Sequence, residues 1–356
     1  MAAKGFDRPP VGRFLVSVVV LVVWALYLAL GPGFAFLQDL WPVSATMAFG
    51  SFVAGATAEG GGAVAFPVFT KVLHLPASTA RDFALAIQSV GMTCGALLIA
   101  RSGYRFLEPV FWWTLAGAAP AVLVGLTWVA PLVVPPYPKI FFTMFTLAFG
   151  GFLVWMNRRP RILRTRVACD HGRRRLEFVA AGVVGGLAAS IVGSGADVVL
   201  FILLCLRYDV DEKVGTRTTV FLMAAVSLIG FGFLALSGRL APAVWPMWLA
   251  AVPIVAFGAP LGALFCSWQK REHVVGFLIG LILLEFATTV WLVPFDASAV
   301  GFSAAFLATA FVAMLLLRES RLAPPDSEIP AGPNREGLPS PDDDPEGPPA
   351  LEIGQP

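Results

Sequence analysis

Apolar stretches long enough to cross a membrane dominate this sequence. A hydrocarbon core about 30 Å thick is crossed by a helix of about 20 apolar residues. Only 13% of the residues are charged, about half the roughly 25% usual for a soluble domain. The composition argues against a soluble globular protein and, with the apolar stretches, predicts an all-α, polytopic transmembrane protein. Eight stretches qualify as full membrane helices: 14–31, 83–100, 109–130, 139–156, 214–236, 243–267, 274–292 and 299–317.

Two further apolar segments, 42–75 and 177–206, are each interrupted by glycine. A helix of 30 residues spans roughly 45 Å, which is enough for one crossing with surplus but not for two full ones. We therefore predict that each segment is a hairpin of two short helices. Two thin full crossings would preserve the topology and are the alternative, above all for 42–75. The predicted architecture is about eight full helices plus two broken helical hairpins.

Lysine and arginine in short loops indicate orientation, because cytoplasmic loops carry an excess of both. Segment 157–176 contains eight arginines and is predicted to be a basic cytoplasmic loop. Counting helices from this loop places both chain termini in the cytoplasm. Segment 42–75 then starts and ends outside, whereas segment 177–206 starts and ends inside. We predict a multi-pass protein of the inner (cytoplasmic) membrane.

Two hairpins that enter from opposite faces indicate an inverted repeat. Sliding the sequence by 133 residues brings the first glycine cluster onto the second. The same shift brings 79–88, the start of the next helix, onto 212–221. The predicted organisation is a cytoplasmic N-terminus (1–13), a transmembrane domain (14–317) and a disordered, acidic, Pro-rich cytoplasmic tail (318–356). Within the transmembrane domain, the first repeat covers about 14–130, the second about 139–267 and the closing helices 274–317.

The glycine-rich breaks indicate a binding site between the repeats. Lipid cannot hydrogen-bond a non-helical backbone, so a break at membrane depth is tolerated only against protein or a water-filled cavity. Half-helices that meet near the midplane between inverted repeats are typical of secondary transporters. The positive end of a helix that begins at such a break favours an anion. Close helix packing through small residues is the alternative. The candidate residues at the breaks are Gly60, Gly61, Gly62, Gly193, Ser194 and Gly195.

Three stretches around the breaks carry a family resemblance: GSFVAGATAEGGGAVAFPVF at 50–69, GVVGGLAASIVGSGADVVLF at 182–201 and VGTRTTV at 214–220. Over roughly residues 42–317 the chain resembles the sulfite exporter TauE/SafE family of membrane permeases. The resemblance implies an inverted-repeat permease that moves sulfite, sulfonates or related small sulfur oxyanions, usually outward. We therefore expect export of a small sulfur-containing anion. An anion channel and a permease for another small organic anion are the alternatives.

Arginines near the breaks are candidates for binding the anion. An ionisable group at membrane depth costs about 2.5–3.5 kcal/mol on insertion scales and is a functional candidate. Arg81 and Arg217 each lie near the first turn of the helix that follows a hairpin. A guanidinium presents a planar fork of donors that suits oxyanions. The alternative is that these arginines extend to lipid headgroups, or that they pair with Asp82 and Asp211.

Glu59, Asp197 and Glu285 are candidate proton carriers. A carboxylate beside an anion site repels the substrate unless it takes up a proton, and loss of water favours the protonated form. Glu59 and Asp197 flank the two glycine clusters, and Glu285 lies well inside the helix at 274–292. The alternatives are capping of a helix N-terminus, pairing with arginine or, for Glu285, a lock between two helices.

Uncharged polar residues complete the candidate site. Gln88, Ser194 and Thr216 have groups that donate hydrogen bonds to substrate oxygens. Such side chains in membrane helices usually bond their own backbone or a neighbouring helix, which is the alternative.

Other function classes lack their signatures. The sequence contains no set of residues typical of an intramembrane protease and no G-x-x-x-x-G-K-[ST] nucleotide loop. We therefore predict neither an enzyme nor a bound metal or cofactor. The basic loop predicts contact with anionic lipid and not with nucleic acid. The predicted partners are a small anionic substrate and membrane lipid, and the oligomeric state, a homodimer included, is left open.

Overall fold

In the computed structural model, the described residues are 14–57, 61–157, 163–167, 169, 171–269 and 271–319. Within these ranges the chain forms twelve α-helices and no strand, which confirms the predicted all-α fold. The helices are α1 (Leu15–Leu30), α2 (Trp41–Ala56), α3 (Gly62–Pro67), α4 (Ala77–Arg101), α5 (Glu108–Val124), α6 (Tyr137–Asn157), α7 (Gly172–Val192), α8 (Ala196–Arg207), α9 (Glu212–Leu236), α10 (Val244–Trp268), α11 (Arg271–Leu292) and α12 (Ala297–Glu319).

Eight of the described helices, α4 to α7 and α9 to α12, are long and apolar enough to cross a membrane. The number of membrane-spanning helices agrees with the prediction, but one of the predicted helices is not among the eight. Segment 14–31 forms α1, which has 16 residues and ends at Leu30, before Gly31. Its place is taken by α7, which reaches 21 residues because it begins at Gly172, within the predicted basic loop.

The two glycine-broken segments are hairpins with unequal limbs. Hairpin 1 comprises α2 and α3, and hairpin 2 comprises α7 and α8. The limbs of hairpin 2 have 21 and 12 residues, so its first limb is longer than predicted. In hairpin 1, a 16-residue limb is followed by the six residues of α3 and a π-helical turn at Val68–Val72. Each hairpin therefore has one long limb and one short limb that returns from the break.

Backbone conformation reveals the repeat directly. Helices α4 and α9 both have 25 residues and begin 135 positions apart. The left-handed residues His74 (φ 53°) and Asp209 (φ 49°) precede them at the same separation. Gly103 (φ 68°) and Gly238 (φ 67°) follow them, again 135 positions apart. The repeat register in this region is therefore two residues longer than the 133 derived from the sequence.

Glycines allow the long limb of each hairpin to pack closely on another helix. A Cβ atom at Gly55 of α2 would overlap the carbonyl of Ala259 in α10. A Cβ atom at Gly182 of α7 would likewise overlap the carbonyl of Thr114 in α5. Small residues permit this approach of two backbones in membrane helices. Each long limb thus packs on a helix from the other half of the chain, and α4, the most buried of the eight spans, lies among them.

Candidate functional site

The break in hairpin 2 depends on two glycines in unusual backbone conformations. Helix α7 is followed by Gly193, which has φ 80°, and α8 is preceded by Gly195, which has φ 124°. L-residues with a side chain rarely adopt these conformations. Gly193 is also pressed against α4, because an added Cβ would lie 2.6 Å from both Ala84 Cβ and the carbonyl oxygen of Arg81. The two glycines therefore interrupt the helix here, and the break packs against α4.

The break of hairpin 1 meets the break of hairpin 2. A Cβ atom added at Gly62 would lie 2.5 Å from Ser194 Cβ and 3.2 Å from its Oγ. Gly61 faces Gln88 on α4, with 3.6 Å from an added Cβ to Gln88 Cγ. We call this contact region, formed by Gly61, Gly62, Gln88, Gly193 and Ser194, the junction. Two other predicted residues at the first break, Glu59 and Gly60, lie outside the described residues.

Gln88 connects α4 to the second break. Its Nε2 donates hydrogen bonds to the carbonyl oxygens of Gly193 (2.7 Å) and Ala84 (3.0 Å). Its Oε1 is buried and has no hydrogen-bond partner among the described residues. The amide nitrogen that was predicted to donate to a substrate is therefore engaged by the protein, and the remaining capacity of Gln88 is that of an acceptor.

Asp197 lies in the first turn of α8 and is 1% exposed. Its Oδ1 accepts hydrogen bonds from the backbone amides of Gly195 (3.1 Å) and Val198 (3.0 Å). Its Oδ2 is buried and finds no partner in the part of the chain that the structure describes. One carboxylate oxygen thus caps the helix, as the alternative interpretation predicted, and the other is left without a partner.

A cavity of about 440 Å³ connects one face of the bundle with the end of α2. We call it the vestibule. At the face it is lined by Asp211, Glu212 and Lys213, at the start of α9. At its inner end it reaches Thr57, the residue that follows α2 and precedes the first break. Thr216 also lines the vestibule, whereas Gln88 and Ser194 lie at the junction, so the predicted polar residues occupy two neighbouring regions.

Arg217 lies beside the vestibule and stacks on Tyr104, with its guanidinium carbon 4.2 Å from the ring centroid. A smaller cavity of about 30 Å³ touches both residues and shares Thr216 with the vestibule. The alternative partner Asp211 instead caps α9 by accepting two backbone amide hydrogen bonds, of 2.9 and 3.3 Å. No described carboxylate lies within ion-pair distance of Arg217.

Arg81, by contrast, is neutralised by its neighbour. Its Nη2 and Nε lie 2.6 and 2.8 Å from Asp82 Oδ1, and the Asp82 side chain is 3% exposed. Arg81 therefore pairs with Asp82, which was the alternative to binding the anion. The backbone of Arg81 packs on Gly193, so this ion pair supports the second break from the α4 side.

One family model matches most of the chain. It describes the sulfite exporter TauE/SafE family and covers residues 43–289. The chain belongs to this family. No curated protein and no solved structure matches the chain. TauE/SafE proteins are membrane transporters and not enzymes, and the matched range contains hairpin 1 from residue 43 onward, all of hairpin 2 and the junction.

The buried acid Glu285 of this TauE/SafE protein has a partner that sequence reasoning missed. Lys71 Nζ lies 2.6 Å from Glu285 Oε1, and the two side chains are only 3% and 9% exposed. Lys71 also donates to Thr289 Oγ1 at 2.6 Å, and Thr143 Oγ1 donates to Glu285 Oε1 at 3.0 Å. Three elements meet here, since Lys71 lies after α3, Thr143 in α6 and Glu285 in α11. Glu285 of α11 therefore connects α11 to α6 and to the short limb of hairpin 1, which was the alternative to a role as proton carrier.

A signal for Lys71 was present in the sequence. It is an isolated lysine in a largely apolar stretch, four positions after Pro67 in the short limb of hairpin 1. A lone cation at membrane depth is expected to have a partner, but the sequence does not identify it, because Glu285 is 214 positions away.

Hairpin 2 of the TauE/SafE protein carries a comparable basic residue with a different partner. Arg207, at the end of α8, forms a bidentate pair with Glu177 of α7 with two distances of 2.6 Å. Tyr208 OH donates to the same carboxylate at 2.7 Å. The short limb of hairpin 2 is thus tied to its own long limb, whereas that of hairpin 1 is tied to α6 and α11. The repeat is symmetric in backbone and asymmetric in its ion pairs.

Proposed function

We propose that this TauE/SafE protein is a secondary transporter that exports a small sulfur-containing anion, sulfite or an organosulfonate, across the cytoplasmic membrane. The anion enters the vestibule and binds between it and the junction. The two repeats then move against each other and open the site to the opposite face. Proton coupling accompanies this movement.

The contact between the two glycine breaks carries the proposal. Gly62 and Ser194 belong to different hairpins, and the Ser194 side chain lies so close to Gly62 that an added methyl group there has no room. Broken helices that meet between inverted repeats form the substrate sites of many secondary transporters. The vestibule ends at Thr57, beside one of these breaks, and therefore supports access from one face.

The vestibule provides chemistry suited to an anion. The guanidinium of Arg217 lacks a described carboxylate partner, and Thr216 and Lys213 lie close to it along α9. Guanidinium groups bind planar or tetrahedral oxyanions through two parallel hydrogen bonds. We infer that Arg217 attracts and binds the anion and that Thr216 donates a further hydrogen bond.

The face on which the vestibule opens is the cytoplasmic one in this proposal. Arg164 of the basic segment exchanges backbone hydrogen bonds with Asp209 and Asp211, each of 2.9 Å, next to the start of α9. Arg164 and the mouth of the vestibule thus lie on the same side. An excess of arginine favours the cytoplasm, which supports assigning the described structure to an inward-open form.

We expect Arg217→Gln to weaken anion binding at least about tenfold, because a charge-assisted hydrogen bond contributes about 1.5–3 kcal/mol. The concentration dependence of sulfite and sulfoacetate flux into proteoliposomes measures this change. Arg239→Gln is the matched control, since Arg239 lies near the other end of α9, is exposed, and also lies over an aromatic ring, that of Phe233. Equal flux in both variants would remove Arg217 from the site.

Flux in reconstituted vesicles tests the function itself. We expect saturable transport of sulfite or sulfoacetate and counterflow against an unlabelled pool, while chloride and sulfate compete weakly. Saturation and counterflow distinguish a carrier from a channel, because a carrier binds its substrate during each cycle. A linear conductance would instead support an anion channel, and transport of carboxylates alone would support a permease for other organic anions.

A further inference from the structure

Three acids are buried in the described part of the membrane domain: Asp82, Asp197 and Glu285. Two of them have a basic partner within 2.6 Å, since Arg81 binds Asp82 and Lys71 binds Glu285. A buried charge is tolerated when it is paired and hydrogen-bonded. Asp197 differs, because none of the described ion pairs includes it.

The surroundings of Asp197 do not neutralise a negative charge. Its Oδ1 receives backbone hydrogen bonds from Gly195 and Val198, and its Oδ2 has no partner in the described residues. The charged groups on α4, α6, α7 and α9 either contact other partners or lie in the first or last turn of their helix, as Arg101 does at the end of α4. Arg81 binds Asp82, Glu177 binds Arg207, and Lys139 donates to the carbonyl oxygen of Thr70. Arg217 stacks on Tyr104, and Glu212 and Lys213 line the vestibule. The first turn of α7 contains Arg173, Arg174 and Arg175.

The space around Asp197 suits a proton better than a metal cation. A Cβ added at Gly195 would lie 2.9 Å from Ala188 Cβ, and one added at Gly185 would lie 2.7 Å from Ala196 Cα. The backbone on both sides of Asp197 is therefore tightly packed. Metal cations such as Ca²⁺ and Mg²⁺ require a shell of several oxygen ligands, whereas a proton requires the single oxygen that is available.

We propose that Asp197 binds the proton that is transported together with the anion. The proposal rests on the proposed function, and it assigns the coupling role to one of the three predicted acids. Asp197 lies two residues after the break that contacts Gly62, so movement of the hairpins changes its exposure. Protonation of Oδ2 removes the negative charge beside the anion site, and anion and proton therefore bind cooperatively and move in the same direction. Export then takes place when the outward gradient of the anion is larger than the inward gradient of protons.

The proton step balances without any further reactant. When movement of the hairpins exposes Asp197 to one face, a hydronium ion there transfers a proton to Oδ2, which forms an O–H bond and leaves water. After the site opens to the other face, the same O–H bond breaks and water accepts the proton. No group is oxidised or reduced, and the anion itself is unchanged.

Asp197→Asn separates the proton-binding role from the capping role. Asparagine retains an oxygen that accepts the two backbone hydrogen bonds but does not titrate. In vesicles with the membrane potential clamped, a gradient of one pH unit, acid outside, is expected to drive about tenfold accumulation of a labelled monovalent sulfonate by the wild type at one proton per anion. The variant should retain sulfonate counterflow but lose this accumulation.

Asp296→Asn is the matched control. Asp296 caps α12 by accepting a 2.7 Å hydrogen bond from the Ala299 amide, which holds the pKa of this exposed carboxyl below its ordinary value. The substitution makes the same chemical change at a helix N-terminus in contact with water. Accumulation driven by the pH gradient should therefore equal that of the wild type.

Each outcome has one meaning. Full pH-driven accumulation by Asp197→Asn would overturn the proposal, as would a wild-type protein that performs counterflow but ignores the pH gradient. Absence of counterflow in the wild type would instead contradict the proposed function. If neither Asp197→Asn nor Asp197→Ser folds, proton uptake by the detergent-solubilised wild type on addition of the sulfonate decides the question, because the proposal requires such uptake.

Discussion

Lys71→Met is expected to lower the free energy of unfolding by about 3–5 kcal/mol, because it leaves Glu285 as a buried charge without its cation. The pair is 2.6 Å apart, and both side chains are almost fully buried. The loss should also loosen the attachment of the short limb of hairpin 1 to α6 and α11. Unfolding of the purified protein in mixed micelles measures the change.

The double variant Lys71→Met/Glu285→Met separates the charge from the packing. Replacing both members of a buried ion pair with apolar groups is often neutral or stabilising, so much of the lost stability should return. Arg207→Met serves as a comparison in the other hairpin. Its partner Glu177 is 22% exposed and stays partly hydrated, so the loss should be smaller. A double variant as unstable as Lys71→Met alone would show that packing, and not charge, explains the effect.

Gly62→Ala is expected to reduce anion transport by about a hundredfold, the effect of a displacement of about 1 Å within a site that requires accurate geometry. The added methyl group would lie 2.5 Å from Ser194 Cβ, so one of the two breaks must move. Initial rates of sulfite and sulfoacetate counterflow measure the loss. Elution of the variant as a single species in detergent shows that it remains folded.

A compensating substitution tests the physical reason. Ser194→Gly removes the Cβ and Oγ atoms that the new methyl group would meet, so Gly62→Ala/Ser194→Gly should recover a large part of the counterflow rate. Because the sites are in direct contact, their effects should not add. Additive losses in the double variant would mean that the breaks do not approach each other as the structure describes.

Much of the fold was predictable because hydropathy and glycine placement act locally. Helix α4 fills the predicted stretch 83–100 and extends it at its start, and the second break lies at Gly193 to Gly195. The repeat was predicted as well, but its register was two residues short. Residue identity between the halves is low, so matching the glycine clusters did not determine the register of the helices that follow.

The candidate site was predicted in part. The glycines indicated that the breaks would converge, and the structure brings Gly62 against Ser194. The roles of polar residues were less accessible, because a hydrogen-bonding group has several partners that satisfy it. The Nε2 of Gln88 is engaged by Gly193, 105 positions away, which no local pattern indicates.

The sequence by itself determined the membrane location, seven of the eight helical spans and the two breaks, since each follows from the hydropathy or backbone freedom of neighbouring residues. Only the tertiary structure decided which buried charges are neutralised. Asp82 is paired with its neighbour and Glu285 with Lys71, whereas Asp197 has no basic partner in the described part of the chain. Electrostatic pairing depends on distances of a few ångströms between helices, and those distances arise only when the whole bundle packs.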